Sequence, residues 1–282
     1  MDVLSFSFGD KNASKLLLKS FRETGFAVIK NHPVAWNLIE EVYAEWKLFF
    51  KDPRRFDYEL DKAKQDGYIH GNQSETAKGA AYKDLKEFYH VYYPWGRYPA
   101  FLSDRTRELF HQTFEMGLTL LSWLQEELPK EIKKEFECDL PQMASKERTL
   151  QRILYYPALK GDETSGAIRA AAHEDINLIT LLPAATQPGL QVKDLKGEWH
   201  EVKIGPKTMV INAGDMLQEL TKRYIISTTH RVINPKGSGS REARMSIPTF
   251  FHPKAEIRLS DRYPTAQTYL DERLRELGLL KK

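Results

Sequence analysis

The sequence predicts a mainly β protein whose sheets are flanked by helices, an α+β fold class. From residue 150 onward, short runs rich in β-branched and aromatic residues are separated by Gly, Pro and Asn turns. Helical spacing of apolar residues is found instead at the two ends and in the middle of the chain. Many short strands with frequent turn signals are typical of a sandwich or a barrel.

Three helices are predicted before the β-rich part. The first covers residues 14–24 and ends at Gly25, because a glycine after the last helical turn often stops a helix. The second covers residues 34–50 and the third about residues 104–128. Both carry apolar side chains at helical spacing, so each should pack one face against a core.

The strands follow in short segments. They are predicted over residues 150–156, 178–182, 190–193, 199–202, 208–212, 225–234 and 243–251. The segment 234–242, NPKGSGSRE, combines Gly, Pro and Ser and is predicted to be a solvent loop.

Composition and charge limit the classes of protein to which this chain can belong. A chain of 282 residues with 41% hydrophobic residues can bury a sizeable core. Its net charge of +3, from 42 basic and 39 acidic residues, is too balanced to indicate nucleic acid as a partner. The single cysteine, Cys138, excludes an internal disulfide framework and fits a reducing compartment. With no leader-like or membrane-spanning run in the sequence, we expect a soluble, cytoplasmic protein.

His173, Asp175 and His230 form the most informative pattern. On an extended strand, alternate side chains share a face, so His173 and Asp175 in HED point the same way. The third ligand must come from another strand, and His230 lies 55 residues beyond Asp175. Two imidazoles and one carboxylate, with the other positions open, are the ligand set of non-haem Fe(II) oxygenases, which activate O2. A lone H-x-D is weak evidence, because most such histidines are surface or packed residues.

Arg244 and Ser246 show the same period of two in RMS. On one face of a strand, the guanidinium and the hydroxyl would form a fork that suits a carboxylate. The alternative for Arg244 is an ordinary surface ion pair, which contributes little.

Beyond these residues, the chain resembles a known family from about residue 151 to residue 253. The matching stretches, in family order, are RILYYP, HEDINLITLL, PGLQV, VINAGDMLQELT, YIISTTHRV and RMSIPTFFHP. They resemble the isopenicillin N synthase-like branch of the Fe(II)/2-oxoglutarate-dependent dioxygenases. Upstream, ETGFAVIKNH looks like the family's N-terminal strand and DLKEFYHV like its pre-helix segment.

The resemblance implies a fold and a chemistry. The fold would be a distorted double-stranded β-helix, a jelly-roll core over 150–253, in a single oxygenase domain over 1–282, with a helix-rich part over 1–149 and a C-terminal helix over 254–282. Fe(II) would be bound by the triad. O2 and 2-oxoglutarate would be consumed, giving succinate and CO2 while a small molecule is hydroxylated or desaturated. The far carboxylate of 2-oxoglutarate would be held by Arg244 and Ser246, assisted by Tyr156.

Some positions depart from the family or remain open. Leu154 stands where plant members usually have Asn, which removes a polar contact near the co-substrate. Asp215, in GDMLQELT, falls in a stretch that the family uses mainly for turn and strand geometry. Arg169 precedes the metal strand and faces either that site or solvent.

The substrate is predicted only by class. Segment 67–88 looks like the family's variable substrate-facing loop, with Tyr68, Glu75 and Lys78 as candidates, although loop side chains are mostly solvated. Phe250 would line the pocket. A small amphipathic or amino-acid-like metabolite is expected.

Two other functions stay open. The first is an Fe(II)/O2 oxidase of the same fold that does not use 2-oxoglutarate, like isopenicillin N synthase or aminocyclopropane-carboxylate oxidase. Arg244 and Ser246 do not separate this function from the 2-oxoglutarate-dependent one, because such members keep the R-x-S pair. The second is a metal-binding but inactive sensor or scaffold protein, against which the intact ligand set argues.

Overall fold

The computed structural model describes residues 1–70, 84–161, 163–164, 166–235, 237–276 and 278. The strands are β1 Ser5–Ser7, β2 Phe26–Lys30, β3 Gly67–Ile69, β4 Glu87–Tyr92, β5 Leu150–Tyr156, β6 Ala170–His173, β7 Ile179–Pro183, β8 Leu190–Lys193, β9 Trp199–Glu201, β10 Thr208–Ala213, β11 His230–Val232, β12 Arg244–Ser246 and β13 Thr249–Phe251. The helices are α1 Ala13–Glu23, α2 Trp36–Phe49, α3 Arg105–Glu127, α4 Lys130–Lys133, α5 Leu140–Met143, α6 Asp215–Leu220 and α7 Ala266–Glu276.

These strands form two sheets. The larger has the order β1-β2-β10-β7-β13-β5-β4-β3, with β12 also paired to β5, and the smaller has the order β6-β11-β8-β9. Apart from the parallel pair β1–β2, all of these pairings are antiparallel. Strands from the first part of the chain therefore extend both edges of the larger sheet. The mainly β class with flanking helices is confirmed.

The core has two layers, and alternation along β5 shows how they are divided. Ile153 packs with the helices, in a cluster that includes Trp46 of α2 and Phe110 of α3. Leu154 and Tyr156 point to the other side and pack with side chains of the smaller sheet. Because successive strand side chains face opposite ways, one strand serves both layers.

Helix α3 lies very close to the larger sheet. Gly117 faces Phe251 of β13, and a Cβ atom at position 117 would lie 2.0 Å from the ring. Phe251 also stacks on Phe114, with ring centroids 5.3 Å apart. Glycine is needed here because the sheet side chain occupies the space of a Cβ.

The predicted helices agree with α1, α2 and α3 to within two residues at either end, but two predicted strands are shorter. Only β11 forms within 225–234, because side chains of the preceding segment bind the backbone: Gln218 accepts from the Ser227 N–H and Thr221 from the Ile225 N–H. The predicted strand 243–251 is divided into β12 and β13 around Pro248, which has no N–H to donate.

Other expected segments have mixed outcomes. The stretch that begins at Asp215 forms helix α6 rather than a turn-and-strand element. DLKEFYHV contains strand β4, which precedes helix α3, and FAVIK forms strand β2 as expected. Segment 234–242 includes a 3-10 turn over Gly237–Arg241. The C-terminal helix expected over 254–282 begins only at Ala266, in α7. Among the described residues, no helix combines the length and apolar character needed to cross a membrane.

Candidate metal centre and adjoining cleft

The structure brings the three predicted metal ligands together at the end of the smaller sheet. His173 is the last residue of β6 and lies opposite His230, the first residue of β11. Each histidine Nε2 lies 3.8 Å from Oδ1 of Asp175. The three ligand atoms lie within 4.8 Å of one another. The expectation that one strand carries both His173 and Asp175 was wrong in detail, because β6 ends at His173 and Asp175 lies in the irregular segment that follows.

Hydrogen bonds orient all three ligands. Nδ1 of His173 lies 2.8 Å from the Ala171 carbonyl oxygen, and Nδ1 of His230 lies 3.1 Å from that of Thr228. A proton on each Nδ1 satisfies these carbonyls and leaves each Nε2 lone pair facing Asp175.

Two side chains of the larger sheet hold the carboxylate. Thr180 and Asn212 lie opposite each other on β7 and β10. Both donate to Oδ2 of Asp175, over 2.6 Å from the Thr180 hydroxyl and 2.8 Å from the Asn212 amide. Oδ1 is thereby left to face the histidines.

Local electrostatics favours the deprotonated forms that a metal requires. Desolvation and the neighbouring His230 ring lower the pKa of His173 to about 4. Burial alone would raise the pKa of Asp175, but the two histidines and its two hydrogen-bond donors hold it below its usual range. At neutral pH the site therefore offers a neutral imidazole at His173 beside an ionised carboxylate, as a divalent cation needs.

The predicted carboxylate fork lies between the two sheets. Arg244 is only 1% exposed, and its Nη1 donates to Ser246 Oγ over 3.1 Å. It lies opposite Tyr156 across β12 and β5, with its guanidinium carbon 5.0 Å from the centre of the tyrosine ring. Among the described residues, no carboxylate lies within ion-pair distance of Arg244, and its burial is not that of a surface residue. A buried cation of this kind suits an anionic ligand.

A cleft of about 680 Å³ opens beside the metal ligands. Its lining includes His173, Asp175 and the predicted Phe250. Cationic side chains also line it, among them Lys86 and Arg152. The C-terminal helix α7 contributes the further lining residues Leu270, Arg273, Leu274 and Glu276. The described lining is thus mixed, with charged groups next to apolar ones.

Tyr68, another predicted substrate residue, lies away from this cleft. Tyr68 is 1% exposed and packs on Phe49 and Phe50, and its hydroxyl donates to Glu87 over 2.5 Å. Its neighbour Ile69 packs in the cluster between the sheets, so Tyr68 faces the helices, away from that layer. The geometry gives no support for Tyr68 as a substrate residue. Glu75 and Lys78 lie outside the described residues.

Sequence reasoning missed several side chains that build the site. Thr180 and Asn212 resemble ordinary strand residues, although a polar residue within an apolar strand was the available signal. Asp84 was also missed. It accepts from the Ala171 N–H of β6 over 2.8 Å and pairs with Lys86 at 2.7 Å, and both side chains are nearly buried.

A second group of possible metal ligands has a simpler explanation. Asp194, Glu198 and His200 also lie close together. The Asp194 carboxylate accepts from the Lys196 and Glu198 N–H groups and lies 2.7 Å from His200 Nε2. These contacts stabilise the turn between β8 and β9.

Comparison with known proteins adds family matches. The model of the 2OG-Fe(II) oxygenase superfamily matches residues 148–253. The model of the N-terminal region of the non-haem dioxygenase in morphine synthesis matches residues 2–112.

Individual relatives span most of the chain. A crystal structure from Shewanella oneidensis, assigned to an oxygenase, is 44% identical with a TM-score of 0.88, over 99% of this chain and 100% of that one. Jasmonate-induced oxygenase 3 of Arabidopsis thaliana is 27% identical over 85% of this chain, which spans 66% of that protein's length. A full-length Neurospora crassa protein crystallised in complex with alpha-KG has a TM-score of 0.79 at 24% identity, over 96% of this chain and 95% of its own, and shares the fold.

Proposed function

This chain belongs to the 2OG-Fe(II) oxygenase superfamily of non-haem iron oxidoreductases, and we propose that it hydroxylates or desaturates a small molecule while 2-oxoglutarate is decarboxylated to succinate. One observation supports this most: a 2-His-1-carboxylate group and a buried guanidinium without a carboxylate partner among the described residues both adjoin the apolar cluster between the sheets, His230 through Phe26 and Arg244 through Tyr156. The first suits Fe(II), and the second suits the far carboxylate of 2-oxoglutarate.

In this proposal, His173, Asp175 and His230 hold Fe(II), which when bound would supply the site for O2 activation. Thr180 and Asn212 keep Asp175 turned toward the histidines. These contacts hold the ligand atoms in position before the metal binds.

Arg244 and Ser246 would bind the distal carboxylate of 2-oxoglutarate. The Arg244 guanidinium is held by the Gln187 carbonyl oxygen at 3.0 Å and by Ser246, so its planar fork is already oriented. Tyr156 lies against it and helps to exclude water. Leu154, in the place of the family's usual Asn, is buried opposite Ser246 and adds apolar packing rather than a hydrogen bond.

The substrate would bind in the cleft beside the ligands. Phe250 offers an apolar surface there, and Arg152 lies with its guanidinium carbon 5.5 Å from the Phe250 ring centre. Lys86 also lines the cleft. A small amphipathic molecule suits this combination.

We also propose a cytoplasmic location. Cys138 is a free, half-buried thiol, as is usual in reducing compartments.

The test is turnover of 2-oxoglutarate by purified protein with Fe(II) and O2. Succinate should form even without the true substrate, and replacing any one triad residue by Ala should abolish this. His200→Ala is the matched control and should retain activity, since His200 lies in the β8–β9 turn. Under anaerobic conditions, 2-oxoglutarate should produce a visible charge-transfer band that glutarate, lacking the keto group, does not. If neither succinate nor the band appears in iron-loaded protein, the oxidase that does not use 2-oxoglutarate becomes the better assignment.

A further inference from the structure

A second arginine lies buried beside the proposed carboxylate site. Arg169, directly before β6, is 0% exposed, and Arg244 is 1% exposed. Their guanidinium carbons lie 6.0 and 5.0 Å from the centre of the same tyrosine ring, that of Tyr156. Both also contact Gln187: Arg244 Nε donates to its carbonyl oxygen at 3.0 Å, and Arg169 Nη1 lies 3.5 Å from its side-chain oxygen. Two positive charges therefore share one small interior region.

Neither charge is neutralised by the part of the chain that the structure describes. No carboxylate lies within 4.0 Å of either guanidinium there. Arg169 Nη2 donates to the Glu242 carbonyl oxygen at 2.9 Å, while its buried Nε has no partner among the described groups. Desolvation and the charge of Arg244 lower the pKa of Arg169. Buried like charges repel each other and are unfavourable unless an anion joins them.

We propose that Arg169 is a second binding residue for the distal carboxylate of 2-oxoglutarate, so that the anion is held between two guanidiniums rather than by the Arg244–Ser246 fork alone. This inference rests on the proposed use of 2-oxoglutarate. An alternative is that Arg169 only fastens the Glu242 segment. A hydrogen bond to a carbonyl oxygen does not require a buried charge, because a neutral donor can make one, and this difference can be tested.

The experiment uses metal-free protein, so that binding is measured without turnover. Glutarate and 2-oxoglutarate are titrated while the thermal unfolding midpoint is followed. Arg169→Gln removes the charge but keeps a polar, shorter side chain, and it should weaken apparent dicarboxylate affinity about ten- to a hundredfold, as expected for loss of a charged hydrogen bond. Arg169→Met, similar in length and apolar, should fold and weaken binding equally, because replacing buried charges by apolar groups is often tolerated.

Two reference variants separate the outcomes. Arg244→Gln should lose affinity, whereas Arg231→Gln should bind like wild type, since Arg231 contacts Trp199 and Gln191 instead. Wild-type affinity in both Arg169 variants, with loss only in Arg244→Gln, would overturn the second binding residue and leave the proposed function intact. If wild type binds neither dicarboxylate and forms no succinate, the proposed function fails as well.

Discussion

Removal of the Thr180 hydroxyl should weaken metal binding although Thr180 is not a ligand. In Thr180→Val, the Oδ2 atom of Asp175 loses its 2.6 Å hydrogen bond and keeps only the one from Asn212. Asn177, whose amide donates to the same hydroxyl at 2.8 Å, also loses its acceptor. A hydrogen bond to a charged group is worth about 1.5–3 kcal/mol. Loss of such an orienting partner typically lowers metal affinity about 10- to 100-fold, which is the same range.

The measurement is Fe(II) affinity under anaerobic conditions, by competition with a chelator, with Mn(II) as a redox-stable second probe. Thr180→Ser is the matched control, because it keeps the hydroxyl and removes only a methyl group. Thermal unfolding of the metal-free variants shows whether the fold survives. If Thr180→Val and Thr180→Ser bind Fe(II) equally well, the hydrogen bond to Asp175 does not organise the site and the reasoning is refuted.

Two further predictions concern stability. Gly117→Ala should destabilise the protein, because a gain of about 1 kcal/mol in helix propensity is outweighed by an overpacking cost of about 1–3 kcal/mol against the Phe251 ring. Denaturant unfolding should show a lower free energy of unfolding than in wild type, with Glu115→Ala, at an exposed position of the same helix, as control. A higher free energy of unfolding would contradict the close packing. His252 has its pKa lowered from 6.5 to about 4 by desolvation and by Arg148. Because the folded protein holds this ring neutral, the free energy of unfolding should fall as the pH drops from 6.5 toward 4. At 1.36 kcal/mol per pKa unit, the loss would reach about 3 kcal/mol. His252→Gln should lose less stability than wild type between pH 7 and 4.5, and identical pH profiles would refute this.

Much of the fold could be predicted because its signals are local. The α1, α2 and α3 helices carry apolar residues at regular spacing, and most core strands are short runs between turn residues. The strand predicted over 225–234 was too long, because the whole segment looks strand-like in sequence, whereas the Gln218 and Thr221 side chains bind part of its backbone. Sequence patterns do not show which distant side chain will satisfy a backbone N–H.

The candidate site, too, could be predicted only in part. His173 and Asp175 could be predicted because they are suitable donors at short spacing, and His230, 55 residues beyond, because a third ligand had to come from another strand. Thr180 and Asn212 could not, since nothing in their own strands indicates that they face each other across β7 and β10. For Arg169, the sequence left two orientations open, and only the packing around Tyr156 shows that it faces the interior.

The position of the metal centre between the two sheets explains why its ligands could be predicted and the side chains that support them could not. Two ligands, His173 and His230, belong to the smaller sheet, whereas the donors that orient Asp175 and the fork containing Arg244 belong to the larger one. Packing of the two sheets against each other is therefore what brings ligands and supports together. A motif can identify residues on each strand, but the distances between sheets depend on the apolar residues that fill the space between them, such as Leu154, Val192 and Val232. Changes in that apolar layer should consequently alter the metal centre without touching any of its polar groups.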